Sequence, residues 1–147
     1  MFRFRLQKVL DLRARQVDQE AVRLRVALTA QQDMAGQREA LQSRIHSLVQ
    51  QVGIEREAGQ PLHMWSLQTS YLADQRRRLA TLRDRERLAA ENVHRQRERL
   101  REAQRRKEVL EHLAARQRRK WQLEQSRRER KELDEVGAIR AAVTSKA

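Results

Sequence analysis

Cysteine is absent from this 147-residue chain, which excludes disulfides, thiolate metal sites and a cysteine nucleophile and fits a reducing compartment. Proline occurs once and glycine four times. The hairpins and turns of a sheet protein therefore lack their usual residues, and the chain reads as nearly all helix. Aromatic residues make up 3%, beside 36% charged and 39% hydrophobic, poor material for a globular core. No apolar run approaches the ~20 residues that span a bilayer, and the opening FRFRLQKVL lacks the apolar centre of a signal peptide. A cytoplasmic protein is expected.

Signatures of catalysis are missing too. There is no Walker loop, dinucleotide fingerprint or GxSxG turn, and four glycines do not make a phosphate cradle. His46, His63, His94 and His112 do not stand at the spacing of a HExxH or paired metal site. Carboxylates are plentiful, but a narrow coiled coil cannot enclose one for acid–base work. The chain is read as a non-enzyme with no catalytic, cofactor-binding or metal-binding residues.

What is abundant is positive charge: 33 Lys and Arg against 20 Asp and Glu, a formal net charge of +13. Such an excess attracts nucleic acid, anionic lipid or acidic protein over a Debye length of about 10 Å at 0.1 M salt. Acids standing four residues before bases, as in Glu91 with Arg95, Glu102 with Arg106 and Glu124 with Arg128, offset part of it along a helix.

Gly59 and Pro61 mark the best break, the glycine ending one helix and the proline opening the next. The predicted fold is all-α, a long two-helix antiparallel coiled-coil hairpin with a protruding C-terminal helix end. Its parts are a first helix over 1–58, roughly 80 Å long at ~1.5 Å per residue, a turn at 59–61, a longer helix over 62–140 and a flexible tail at 141–147, all in a single coiled-coil domain. Two heptad series support it. The first runs Leu10, Val17, Leu24, Gln31, Arg38, Ile45 and Val52, with Arg13, Glu20, Ala27, Met34, Leu41, Leu48 and Glu55 as companions. The second runs from Trp65 through Leu72, Leu79, Glu86, Val93, Leu100, Lys107 and Ala114 to Trp121, with Gln68, Gln75, Leu82, Ala89, Gln96, Ala103 and Leu110. Folding back about Gln60 pairs residues whose numbers add to about 120, such as Leu48 with Leu72, Leu41 with Leu79, Ala27 with Val93, Val17 with Ala103 and Leu10 with Leu110. The apolar seam is assigned to Val17, Leu24, Leu41, Ile45, Leu48, Leu72, Leu79, Val93, Leu100 and Leu110. Polar seam positions Gln31, Arg38, Glu86, Gln96 and Lys107 are read as register-setting at some cost in stability, or alternatively as a deliberately loose middle.

The unequal helix lengths bring Phe2 near Arg118 and leave about twenty residues of the second helix unpaired, among them Trp121, Leu123, Leu133, Val136 and Ile139. Together with the greasy start FRFRLQKVLDLR they form a surface awaiting a partner, or, more plainly, they close the open end of the coil. Nucleic acid competes through Arg76-Arg77-Arg78, Arg105-Arg106-Lys107, Arg118-Arg119-Lys120 and Arg127-Arg128. A basic zipper, however, keeps its cations in one region ahead of the zipper and carries base-reading residues, whereas Asn92 is the only asparagine here. No specific nucleic-acid partner is expected. The mixture of Phe2, Phe4, Leu6, Val9 and Leu10 with Arg3, Arg5 and Lys8 also suits a membrane surface, but the segment is short, and membrane association is expected only through protein partners.

The opening FRFRLQKVLDLR, the long helix and turn, the Arg- and Glu-rich second helix and the late RRERKELDEVGAIR resemble the FliJ family of flagellar export proteins over essentially the full chain. The resemblance implies a soluble component of the flagellar type III export apparatus, similar to the central stalk of rotary ATPases, whose two chain ends enter a ring. Implied partners are the hexameric export ATPase FliI with its regulator FliH, the export gate protein FlhA and export chaperones, with peripheral attachment to the cytoplasmic face of the membrane at the flagellar base. A ring-facing role would fall to Phe2, Phe4, Leu6, Val9, Leu10 and Arg13, and to Trp121, Arg130, Lys131, Glu132, Leu133 and Asp134. The gate contact is expected towards the turn, with Leu41, Ile45, Leu72 and Leu79 as candidates. The alternatives are the equivalent stalk of a virulence secretion system and a basic coiled coil that binds nucleic acid.

Overall fold

The computed structural model describes residues 1–146. Two helices, α1 (Gln7–Glu57) and α2 (Leu62–Ser145), pack against each other as a helical hairpin, with no strand among the described residues. Contacts group the chain into two units, Met1–Val17 with Glu102–Ala147 and Asp18–Arg101.

In the unit Asp18–Arg101, the turn is built by the backbone of Gly59, which sits at φ 88°, a conformation that costs glycine little. The Gln60 amide donates to the Glu55 carbonyl at 3.3 Å and the Gly59 amide to the Arg56 carbonyl at 3.2 Å. This pair of bonds satisfies carbonyls left orphaned at the end of α1. Pro61 follows with its fixed φ and no amide hydrogen to satisfy, and its carbonyl accepts from the Met64 amide at 3.0 Å.

The seam of this unit lies along both heptad series. Ala27, Ile45, Leu79 and Val93 are buried, as is Gln75, while Leu24, Leu41, Leu48, Leu72 and Leu100 are half-buried. Arg38 Nε meets Glu86 Oε2 at 2.7 Å, and Gln68 Nε2 donates to Glu55 Oε2 at 2.6 Å. Those partners' numbers add to 124 and 123, which moves the fold-back point one to two residues beyond Gln60, to the start of α2. Trp65 departs from its assigned layer. It is 36% exposed, with the Arg56 guanidinium 4.8 Å from its ring centroid. The layer that would receive it falls at the last turn of α1, which ends at Glu57, and there Arg56 covers the ring in place of an apolar residue.

In the other unit, Leu10, Val17 and Leu110 are half-buried and Ala103 is buried. The first helix, expected over 1–58, begins only at Gln7. Arg3, Arg5, Lys8 and the terminal amine crowd positive charge onto the positive end of the helix dipole, where it is disfavoured. The Gln7 amide instead closes a turn onto the Phe4 carbonyl at 3.2 Å. At the far end, α2 runs past the expected limit at 140 to Ser145, through part of what had been read as a flexible tail. Alanines at 138, 141 and 142 favour helix, and the hydroxyls of Thr144 and Ser145 donate to the carbonyls of Arg140 and Ala142 at 2.8 and 3.0 Å. Ala147, the last residue assigned to that tail, lies outside the described residues.

Candidate functional site

Two surfaces stand out, one in each unit. In the terminal unit, Phe2 is half-buried and its ring meets that of Trp121 at 6.1 Å between centroids, tilted by 49°. Two of the proposed ring-facing residues, from opposite ends of the chain, are thus brought together. Phe4 is 6% exposed and belongs to the packed interior. Leu6 and Val9 are exposed, Leu10 is half-buried, and half-buried Arg13 donates to Gln16 Oε1 at 2.9 Å.

Beyond Trp121 the character of α2 changes. From Gln122 to Lys146 only Gln125 is half-buried, and the rest are exposed, including Arg130, Lys131, Glu132 and Asp134. Leu123, Leu133, Val136, Ile139 and Val143 stand open to solvent, Leu133 at 70%. The heptad series does not continue here: its next positions are Arg128 and Glu135, with Glu124 and Lys131 as companions. Val136, Ile139 and Val143 instead stand at i, i+3 and i+7, with Leu133 three residues before, a fresh stripe one helix face wide. A stripe of this kind on an unpaired helix is a surface for a groove or a second helix. The run 130–134 lies on this segment and has no hydrogen bond or ion pair to Phe2, Phe4 or Leu6.

In the unit Asp18–Arg101, a second apolar surface flanks the turn. Ile54 and Leu62 are 69% and 77% exposed, and Leu67 and Tyr71 lie open beside Trp65 on the first turns of α2. Sequence reasoning missed it because the heptad pattern claimed Trp65 for the seam. The signal available was Leu62, Leu67 and Tyr71, apolar residues belonging to neither series. By contrast Leu41, Ile45, Leu72 and Leu79, the gate candidates, are seam residues, Ile45 and Leu79 at 9% and 8% exposure.

The polar seam positions resolve individually. Arg38 and Glu86 pair across the seam with about a quarter of each side chain exposed. Lys107 pairs with Glu111 on its own helix at 3.3 Å, and the buried Oε1 of Gln96 has no partner among the described residues. A charged pair across a seam favours one register, because a slip breaks the cross-seam bond and strips Glu86 of its partner, while Arg38 keeps Glu39 and Gln42 on its own helix.

Among the described residues, no group of three or more His, Asp and Glu is placed to hold a metal ion, and no helix is long and apolar enough to cross a membrane. The clefts seen among the described residues are open grooves along the coil.

No curated protein sequence and no solved structure matches the chain. The sequence model of the family described as flagellar FliJ protein matches residues 1–146 of the 147, and the chain therefore belongs to the FliJ family, whose members are components of flagellar protein export and not enzymes.

Proposed function

We propose that the protein is a stalk-like element of the flagellar type III export apparatus that binds and promotes the hexameric export ATPase FliI, together with its regulator FliH, through the free end of α2. The observation that carries this reading is the exposed stripe of Leu133, Val136, Ile139 and Val143 on a helix with no partner of its own. Four large apolar side chains on one face represent several kcal/mol of burial awaiting a binding surface, at ~25 cal/mol per Å². Arg130, Lys131, Glu132 and Asp134 around them supply polar contacts for orientation, and Phe2 with Trp121 closes the adjoining section of coil.

The second contact, to the gate protein FlhA and to export chaperones, is assigned to the surface beside the turn. Ile54, Leu62, Leu67 and Tyr71 are exposed there, while the seam leucines near them are engaged in holding the hairpin. In this scheme the chain carries no ATP site. It couples ring assembly and hydrolysis to the gate by touching both, and it is held at the cytoplasmic face of the membrane through those protein partners. The excess of Arg steers it to acidic surfaces.

The test is to mix the protein, full length or ending at Lys120, with the cognate export ATPase and ATP, following ring assembly and hydrolysis. Stimulation by the full chain and its loss on truncation is the expected result. Two folded forms that neither bind nor stimulate the ATPase would overturn the reading, and a salt-dependent shift of DNA or RNA in the same preparation would favour a nucleic-acid-binding coiled coil.

A further inference from the structure

The last turns of α2, residues 132–146, differ from the rest of the chain in charge as well as in exposure. Glu132, Asp134 and Glu135 against Arg140 and Lys146 leave this segment with one net negative charge, in a chain whose formal net charge is +13. None of the five has an ion-pair partner among the described residues, and Leu133, Val136, Ile139 and Val143 stand open between them. A strongly acidic partner is drawn to the arginines elsewhere and gains no attraction here. The stripe suits a surface that is itself apolar and nearly neutral. A second copy of the same segment is such a surface.

The seven-residue spacing of the segment dictates how two copies fit. Leu133 and Arg140 share one seam position, Val136 and Val143 share the other, and Glu132, Ile139 and Lys146 follow one another along one edge. In an antiparallel pair the two kinds of seam position face each other, so residues whose numbers add to about 276 stand opposite. Leu133 meets Val143 of the second copy, and Val136 meets Arg140, whose stem lies along the valine while its guanidinium leaves the seam. Along the edge, Ile139 meets Ile139 of the second copy at the two-fold axis, and Glu132 meets Lys146, acid against base. The Lys146 amide still bonds to the Val143 carbonyl at 3.3 Å, which keeps Lys146 close to the helical path that ends at Ser145. Turned parallel, the same stripe would set Arg140 against Arg140 in the seam and face Glu132 with Gly137.

We propose that the end of α2 pairs antiparallel with the same segment of a second copy of this chain, through Leu133, Val136, Ile139 and Val143, with Glu132 and Lys146 of each copy fixing direction and register. Such an interface is self-complementary about a two-fold axis beside Ile139. The antiparallel direction also keeps the cationic stretches apart. Arg128 of one copy and Arg128 of the other lie roughly 30 Å from each other along the paired helices, beyond a Debye length of about 10 Å. Helices as short as 132–146 cover less than the ~1,200 Å² of a stable dimer, so the pair is weak and forms as concentration rises. The inference goes beyond the stalk reading, since the second copy covers the stripe which that reading gives to the ATPase. One surface holds one occupant at a time.

The experiment is sedimentation equilibrium of the full chain by itself, at about 0.15 M salt and over concentrations reaching the sub-millimolar, with circular dichroism of every variant. The mass is expected to climb from that of one chain towards that of two. Leu133→Asp should hold the chain monomeric with its helicity unchanged. Glu132→Lys should raise Kd about threefold or more, and adding Lys146→Glu should restore it, because each acid–base pair re-forms with its signs exchanged. The chain has no cysteine of its own, so direction is read by cross-linking. Ile139→Cys sets two thiols side by side at the axis, where a short bis-maleimide should join them, whereas Leu133→Cys leaves them roughly 15 Å apart and should react poorly. A chain that stays monomeric throughout would overturn the proposal and leave the stripe to a different protein. Dimers that survive Leu133→Asp, that cross-link through Leu133→Cys rather than Ile139→Cys, or whose Glu132→Lys defect is not corrected by Lys146→Glu, would overturn it as well. The ATPase takes no part in the measurement: a monomer that stimulates the ATPase defeats this proposal alone, and a dimer that neither binds nor stimulates it defeats the stalk reading alone.

Discussion

α2 behaves differently in the two units. Within Asp18–Arg101 every position of its heptad series after Trp65 is half-buried or buried, polar ones such as Gln75 and Glu86 included. Beyond Trp121 even Leu133 and Ile139 are exposed. Both stretches are helix of similar composition, so helix propensity does not separate them. What separates them is a facing helix. A seam position is sheltered when a partner stands opposite, whatever its chemistry, and a leucine without a partner is not.

The largest expected effects exploit that contrast. Val93, at 3% exposure, and Val136, at 47%, are the same residue on the same helix. Val93→Asp places an unpaired charge in the seam and is expected to cost at least ~3 kcal/mol, read as a lowered urea midpoint. Val136→Asp and Leu133→Asp should change stability by less than ~0.5 kcal/mol and leave circular dichroism unchanged, yet abolish stimulation of the export ATPase. Equal destabilisation by Val93→Asp and Val136→Asp would mean that the end of α2 is packed in solution.

A smaller effect is expected at the charged seam pair. Glu86→Ala removes the cross-seam partner of Arg38, which keeps Glu39 and Gln42 on its own helix, and should cost about 1 kcal/mol. Replacing both Arg38 and Glu86 by Leu should restore or raise stability while loosening register, seen as added mobility or self-association in sedimentation. A double variant as unstable as Glu86→Ala would show that the pair contributes net stability as well as register.

Two glycines provide the finest contrast. Gly59→Ala forces a side chain into φ 88° and should cost about 1 kcal/mol. Gly137→Ala, inside α2 with nothing within 4 Å of the added methyl, should stabilise that helix by up to ~1 kcal/mol. Native-state hydrogen exchange of the segment 122–146 would report the second change, which global unfolding would register only weakly.

The two heptad phases were readable because a seven-residue period with few interruptions leaves one choice of buried face. The Gly59-Pro61 break was readable because each residue has a local conformational preference. Other features were not. Trp65 fits the period and lies outside the seam, since periodicity does not record where the opposing helix ends. Phe4 looks like part of an exposed greasy terminus and is buried, because the chain turns before Gln7 and not within a helix. α2 also continues to Ser145, because after Gly137 the alanines at 138, 141 and 142 favour helix and no residue there breaks it. Of the expected ring-facing residues, hairpin arithmetic set Phe2 near Arg118 and left Trp121 in the unpaired overhang, yet the two rings meet, because the pairing runs a few residues beyond a fold-back at Gln60; the stripe through Val136 and Val143 breaks the heptad phase and emerges only where the partner helix is missing.

Local preference and periodicity, both properties of the chain itself, determined that this protein is a helical hairpin, where it turns and which face each helix buries. Tertiary structure decided which apolar residues are covered and which arginines find a carboxylate across the seam, as Arg38 does in Glu86. Those outcomes depend on what stands across the seam at each layer, a relation between distant residues that no local pattern contains.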